Sequence, residues 1–150
     1  MLLLVIMLLI GRPAFARIGE TETQIVARYG QSLPANATTM LGQPVKVFLT
    51  ADLRVGVAFI DGKSAAESFS KVDGTEISDK EIQVILQSNT AGSHWATSRD
   101  GPFGLRGWSL QSGGRIAGYT KKSLIICTQE FLAISAADPA REPKEKLKGF

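Results

Sequence analysis

The chain is poor in the side chains that build catalytic and metal centres. Among 150 residues there is one cysteine, Cys127, and one histidine, His94. One cysteine excludes an intrachain disulfide. One His and one Cys without a ligand-spaced partner exclude a zinc motif, so neither a metal site nor a cofactor is expected. No G-x-S-x-G elbow and no complete G-x-x-x-x-G-K-[ST] phosphate loop is present, which removes the common signatures of α/β-hydrolases and nucleotide-binding P-loops. "DGKSAAE", from Asp61, lacks the alternating oxygen ligands of a calcium loop. Charge of one sign is also scarce: 17 Lys and Arg stand against 14 Asp and Glu. Nucleic-acid binding needs a concentrated basic face, and the scattered charges offer none. The tail "REPKEKLKGF" (141–150) has four basic residues and two acidic ones, and reads as a solvated terminus.

Long apolar runs are missing as well, with one exception. "MLLLVIMLLIGRPAFA" (1–16) is apolar from Leu2 to Ile10 and ends in Ala14-Phe15-Ala16. A short apolar run followed by small-x-small is the pattern of a secretory signal peptide. The run is well below the ~20 apolar residues of a permanent span. No Lys or Arg precedes it, a departure from the usual pattern. The expectation is export, periplasmic or extracellular, with cleavage after Ala16 and Arg17 as the first mature residue. No cysteine stands there to carry a lipid.

The rest of the chain, 44% apolar and 21% charged over the full length, has the composition of a globular protein. Two stretches announce helices. In "ETETQIVARYG", Thr21 and Gln24 have capping-box spacing, and Gly30 supplies a stop. Ile25, Val26 and Tyr29 share one face. In "ISDKEIQVILQSN", Ser78 and Glu81 repeat the box, Ile82, Ile85 and Leu86 form the stripe, and Asn89 takes the C-terminal cap. Setting Thr21 beside Ser78 aligns Gln24 with Glu81 and Ile25 with Ile82.

β-like runs follow each helix. "VKVFLT" alternates Val45, Val47 and Leu49 on one face. Val55, Val57 and Phe59 alternate in the first arm of a hairpin whose Asp61-Gly62 is a type I′ turn signal. The return arm, Lys63 to Lys71, places Ala65, Glu67 and Phe69 on one side. Its polarity reads as an edge or half-exposed strand. "HWATS", "GWSL", "RIAGYT" and "SLIICT" read as four further short strands. A short helix after Thr128 closes the order. The expected fold is α+β: a capped helix plus an antiparallel meander, twice over, then a short C-terminal helix. Residues 17–137 form one domain, 1–16 the signal peptide and 138–150 a polar tail.

"RIGETETQIVARYGQSLP", "VAFIDGKSAAESFSK", "ISDKEIQVILQSN" and "GWSLQSGGRIAGYTKKSLIICTQEFL" together resemble a group of secreted bacterial proteins with no assigned activity. The opening helix and meander are also distantly similar to envelope modules of two types: the outer-membrane-assembly lipoproteins of the SmpA/OmlA type, and the β-lactamase-inhibitor proteins. Val26, Tyr29 and Gly30 match the "V…YG.P" segment of these modules, with the proline delayed to Pro34. The lipid-bearing cysteine and the disulfides of these modules are absent. The resemblance implies fold and export, and no activity.

One cluster stands out as a candidate binding surface. Trp95, Arg99, Phe103, Arg106 and Trp108 fall within fourteen positions, on a segment punctuated by Gly101, Pro102, Gly104 and Gly107. Trp and Arg are enriched at binding hot spots, and large aromatics are equally at home in a core, so the sequence leaves both uses open. The residues favour a non-enzymatic binding module for another envelope or secreted protein. Two alternatives remain: a small hydrolase using His94, and an accessory domain that self-associates through a strand edge or Cys127.

Overall fold

The computed structural model describes residues 17–34, 38–98, 106–120 and 122–137. The expected signal peptide, the polar tail, and Arg99 and Phe103 lie outside the described residues.

Both capping boxes form. Helix α1 (Glu22–Tyr29) starts at Thr21, whose amide donates to Gln24 Oε1 at 2.8 Å, while the Gln24 amide donates to Thr21 Oγ1 at 3.4 Å. Helix α2 (Asp79–Ser88) repeats the exchange between Ser78 and Glu81 at 2.9 and 3.3 Å. Each box satisfies amides that a helix start leaves without partners. Gly30 ends α1 with φ +84°, and Asn89 caps α2. A short hairpin, β1 (Thr39–Met40) and β2 (Gln43–Pro44), follows α1. It lies in a Pro/Ala/Asn/Thr-rich stretch that reads as loop in the sequence.

The main sheet has seven antiparallel strands: β3 (Lys46–Leu49), β4 (Leu53–Ile60), β5 (Lys63–Lys71), β6 (Trp95–Ser98), β7 (Arg106–Leu110), β8 (Arg115–Thr120) and β9 (Ser123–Thr128). Their spatial order is β3-β4-β5-β9-β8-β7-β6. The last helix, α3 (Gln129–Ala137), leaves β9 with the Phe131 amide capped by Thr128 Oγ1 at 3.1 Å. The fold is the α+β class expected, down to the short closing helix.

Three strands from the first part of the chain (β3-β4-β5) and four from the second (β9-β8-β7-β6) meet at the β5–β9 pair. Counted from their turns, the hairpins β4–β5 and β8–β9 correspond row by row, so Val57 opposite Glu67 corresponds to Ala117 opposite Ile126.

Two apolar layers sandwich the sheet. Helices α1 and α2 cover one face, where Ile25, Tyr29, Ile82, Ile85 and Leu86 meet Val55, Val57, Phe69, Leu124 and Ile126. On the other face, Phe131 and Leu132 of α3 and Met40 of the small hairpin meet Ala58, Ala66 and Cys127. Burial of the apolar faces of both helices drives the docking, at about 25 cal/mol per Å² of apolar surface.

Two expectations from the sequence need correction. The arm Lys63–Lys71 is no edge: β5 is hydrogen-bonded to β4 and β9 and lies inside the sheet, third of its seven strands. Its serines and alanines suit a strand with a helix-packed face on each side, and its own polarity does not reveal its neighbours. In β3, the side chain delivered to the main core is Phe48, fully buried, whereas Leu49 is 44% exposed. The edge position of β3 leaves its far end uncovered.

Candidate functional site

A bulge shapes the end of the central strands. Ala58 faces Ala66, but Phe59 faces Ser64, so Ala65 is an extra residue in β5. The bulge moves Ser64 onto the same face as Glu67 and turns Ala65 to the α3 side. Beyond it, Asp61 (φ +48°) and Gly62 (φ +75°) make the expected type I′ turn.

The segment before α1 continues the sheet where β9 departs into α3. Gly19 donates its amide to Ser64 O, and Ser64 donates its own to Glu20 O, both at 2.8 Å. The Ser64 hydroxyl donates to Arg17 O at 3.1 Å and accepts the Gly19 amide at 3.0 Å. Arg115, the first residue of β8, ties the same segment to α2. Its Nη2 donates to Ile18 O at 2.9 Å and its Nη1 to Asn89 O at 3.0 Å. The buried Asn89 side chain accepts the Ile18 amide at 3.0 Å and donates to Ile85 O at 3.2 Å.

These segments wall a recess of about 420 Å³. The β4–β5 turn, the glycine turn at Gly113-Gly114, Ile18-Gly19, Ala91 and the start of α3 surround it. Asp61, Lys63, Arg115 and Glu130 give it charges of both signs. Gly113 and Gly114 both have φ +79°, a conformation that favours glycine.

One row inward from this wall lies Glu67. It faces Val57 on β4 and Ile126 on β9, on the helix-covered side, and is fully buried. Neither carboxyl oxygen has a hydrogen-bond partner. Burial in an apolar layer penalises the charged form, and the nearby Glu20 carboxylate adds to the penalty. Together they push its pKa up from 4.5 to about 8. Ser64, Arg28 and Arg115 pull it partly back. Each is already engaged: Ser64 with Arg17 O, Arg115 with two carbonyls, and Arg28 with Glu20 through Nε at 3.2 Å and a second contact from Nη2.

The aromatic cluster has a different place. Trp95 is half-buried and donates its indole N–H to Leu86 O at 2.7 Å. Trp108 is buried in the main core. Arg106 is exposed, lies 5.8 Å from the Trp108 ring and 5.0 Å from the Tyr119 ring, and pairs with Asp79 at 2.6 Å. Trp95, Arg106 and Trp108 thus lie on the α2-covered face of β6 and β7 and take part in docking α2. His94 is exposed just before β6. Cys127 is fully buried on the α3 side of β9, three strands away in the sheet. Burial pushes its thiol up to about 12. Among the described residues, no three His, Cys, Asp or Glu side chains gather to hold a metal ion, and no helix is long and apolar enough to cross a membrane.

Sequence reasoning put Glu67 on one side with Phe69 but missed its burial. The missing signal is long-range: only the register that sets Glu67 opposite Ile126 of β9, beneath the helices, takes it from water. Comparison with known proteins brings no match: no family model, no curated protein and no solved structure corresponds to this chain.

Proposed function

We propose that the protein is an exported, non-enzymatic binding module that meets a secreted or envelope partner through the recess at the turn end of its sheet. The observation that carries this reading is the convergence of five chain segments on one concave surface. That surface has exposed charges of both signs at its rim and buried polar groups behind it. Concave sites with a few placed polar groups are where ligands bind in general. The apolar start ending in Ala14-Phe15-Ala16 supports export.

A photoreactive residue at Ser112, on the recess rim, tests this in the producing cell against a control at Lys80, exposed on α2. The expected result is a discrete covalent adduct from position 112 and none from 80. Equal labelling from both positions, or none from either, refutes the recess as the contact surface. N-terminal sequencing of the exported chain is expected to begin at Arg17. A blocked or longer terminus refutes the cleavage.

A further inference from the structure

The two edges of the main sheet are finished differently. At the β3 edge, the Thr50 amide donates to Leu53 O at 2.8 Å, which sets the phase of the ladder with β4. Val47, and Val45 just before the strand, therefore turn their backbone groups away from β4. Both are met: Leu33 donates its amide to Val47 O at 2.7 Å, and Val45 donates its own to Thr38 O at 3.1 Å. Lys46, paired with Glu22, adds charge to the same edge. At the opposite edge, Gln111 donates its amide to His94 O at 2.9 Å. In the register that sets Trp95 opposite Leu110 and Ser98 opposite Gly107, that bond makes Ala96 and Ser98 the residues bonded to β7. Trp95 and Thr97 thus aim both amide and carbonyl outward, and among the described residues no backbone group meets them. β6 carries no charge, proline or bulge, the devices that usually blunt an edge.

We propose that β6 pairs with β6 of a second copy, antiparallel and centred on Ala96, so that two sheets join into one. The strand itself selects this occupant. A two-fold through Ala96 is the register in which both outward residues find partners within β6: Trp95 lies opposite Thr97 of the second copy, and Thr97 opposite Trp95 of the second copy. Each pair exchanges both of its N–H···O bonds. The half-buried Trp95 ring then lies beside an exposed threonine on the same face, an aromatic–β-branched pair of the kind that stabilises sheets. Ala96 meets its own copy at the closer, non-hydrogen-bonded spacing of about 4.5 Å between Cα atoms, where a methyl group fits. No like charges meet, because the strand is uncharged and His94 falls opposite Ser98. A strand of four residues buries little area, so the dimer is weak and exchanging. None of the β6 residues lines the recess, and the pairing stands independently of the recess reading.

Cysteine scanning of the purified chain tests the register. Under mild oxidation Ala96→Cys is expected to give a disulfide-linked dimer, since its spacing is within disulfide reach. Thr97→Cys is expected to give far less, because its counterpart lies two residues along the strand, roughly 8–9 Å away. The native Cys127 is buried and takes no part. In the unmodified chain, the mass by light scattering is expected to rise toward that of a dimer as concentration approaches about 1 mM. Amide exchange at Trp95 and Thr97 is expected to slow at least about threefold over the same range. Thr97→Pro is expected to stay monomeric and folded, because the N–H it removes points away from β7 and proline is accepted on that side of an edge strand. Should that variant fail to fold, the cysteine pair and the unmodified chain still decide. A constant monomer mass up to about 1 mM, or crosslinking from position 97 equal to that from 96, overturns the proposal. So does protection of the Trp95 and Thr97 amides that appears only on adding an extended peptide from another protein.

Discussion

Replacing Glu67 by leucine should make this protein more stable, which is the reverse of what most core substitutions do. The unfolded chain releases the Glu67 proton near 4.5, and the folded chain holds it to about 8. Between those values the folded state binds more protons than the unfolded one. The stability of the wild type therefore falls as pH rises, by up to about 1.4 kcal/mol per pH unit. The contribution of the neutral carboxyl is whole below 4.5, is lost progressively through the window, and levels off above about 8. At pH 7 the folded protein retains a proton that the unfolded chain has released, at a cost of about 3 kcal/mol. Glu67→Leu removes that cost and the two partnerless oxygens. Urea titrations at pH 5 and pH 7 measure both terms. The variant should gain about 3 kcal/mol over wild type at pH 7, or roughly 6–12 °C in melting temperature. The gain should be smaller by about 2–3 kcal/mol at pH 5, where most of the titration cost is absent. A variant less stable than wild type at pH 7, or a difference independent of pH, refutes the reasoning.

Ser78→Ala removes the cap of α2 and one anchor of Glu81, and should cost about 1 kcal/mol in denaturant titrations. Glu81 is held down to about 2, first by the Lys71 ammonium 2.5 Å away and then by Ser78. Its stabilising effect is thus present above 4.5 and lost as pH falls toward 2; in Lys71→Met, its carboxyl carbon should titrate closer to the ordinary value. Cys127 should resist thiol reagents in the native protein at pH 8 and react within seconds in urea, since only unfolding exposes it and lowers its pKa. Trp108→Ala should cost about 3–5 kcal/mol as a buried aromatic truncation. Arg106→Ala should cost under about 1 kcal/mol, because its partners Asp79 and the ring faces meet it at the surface.

Legibility in the sequence followed the range of the forces involved. The capping boxes at Thr21 and Ser78, the Asp61-Gly62 turn and the stripes of α1 and α2 were readable because each is satisfied within a few residues of itself. Strand existence in β7, β8 and β9 was readable from short apolar runs between turn residues. What a strand pairs with was not. The polar pattern of β5 is compatible with an edge, and only long-range pairing with β9 puts it inside the sheet. The cluster from Trp95 to Trp108 looked like a contact surface because tryptophan and arginine serve cores and interfaces alike. The described members of it lie along α2.

The sequence by itself determined where helices begin and end and that antiparallel hairpins follow them, because those choices rest on local hydrogen bonds and side-chain periodicity. Tertiary structure alone decided which strands sit in the middle, and so which side chains lose contact with water. It closed β5 against β9, buried Glu67 on the helix-covered face of the sheet, and brought Ile18, Ser64, Asn89 and Arg115 together behind one recess. Desolvation depends on what covers a residue, and its cover here comes from residues tens of positions away along the chain.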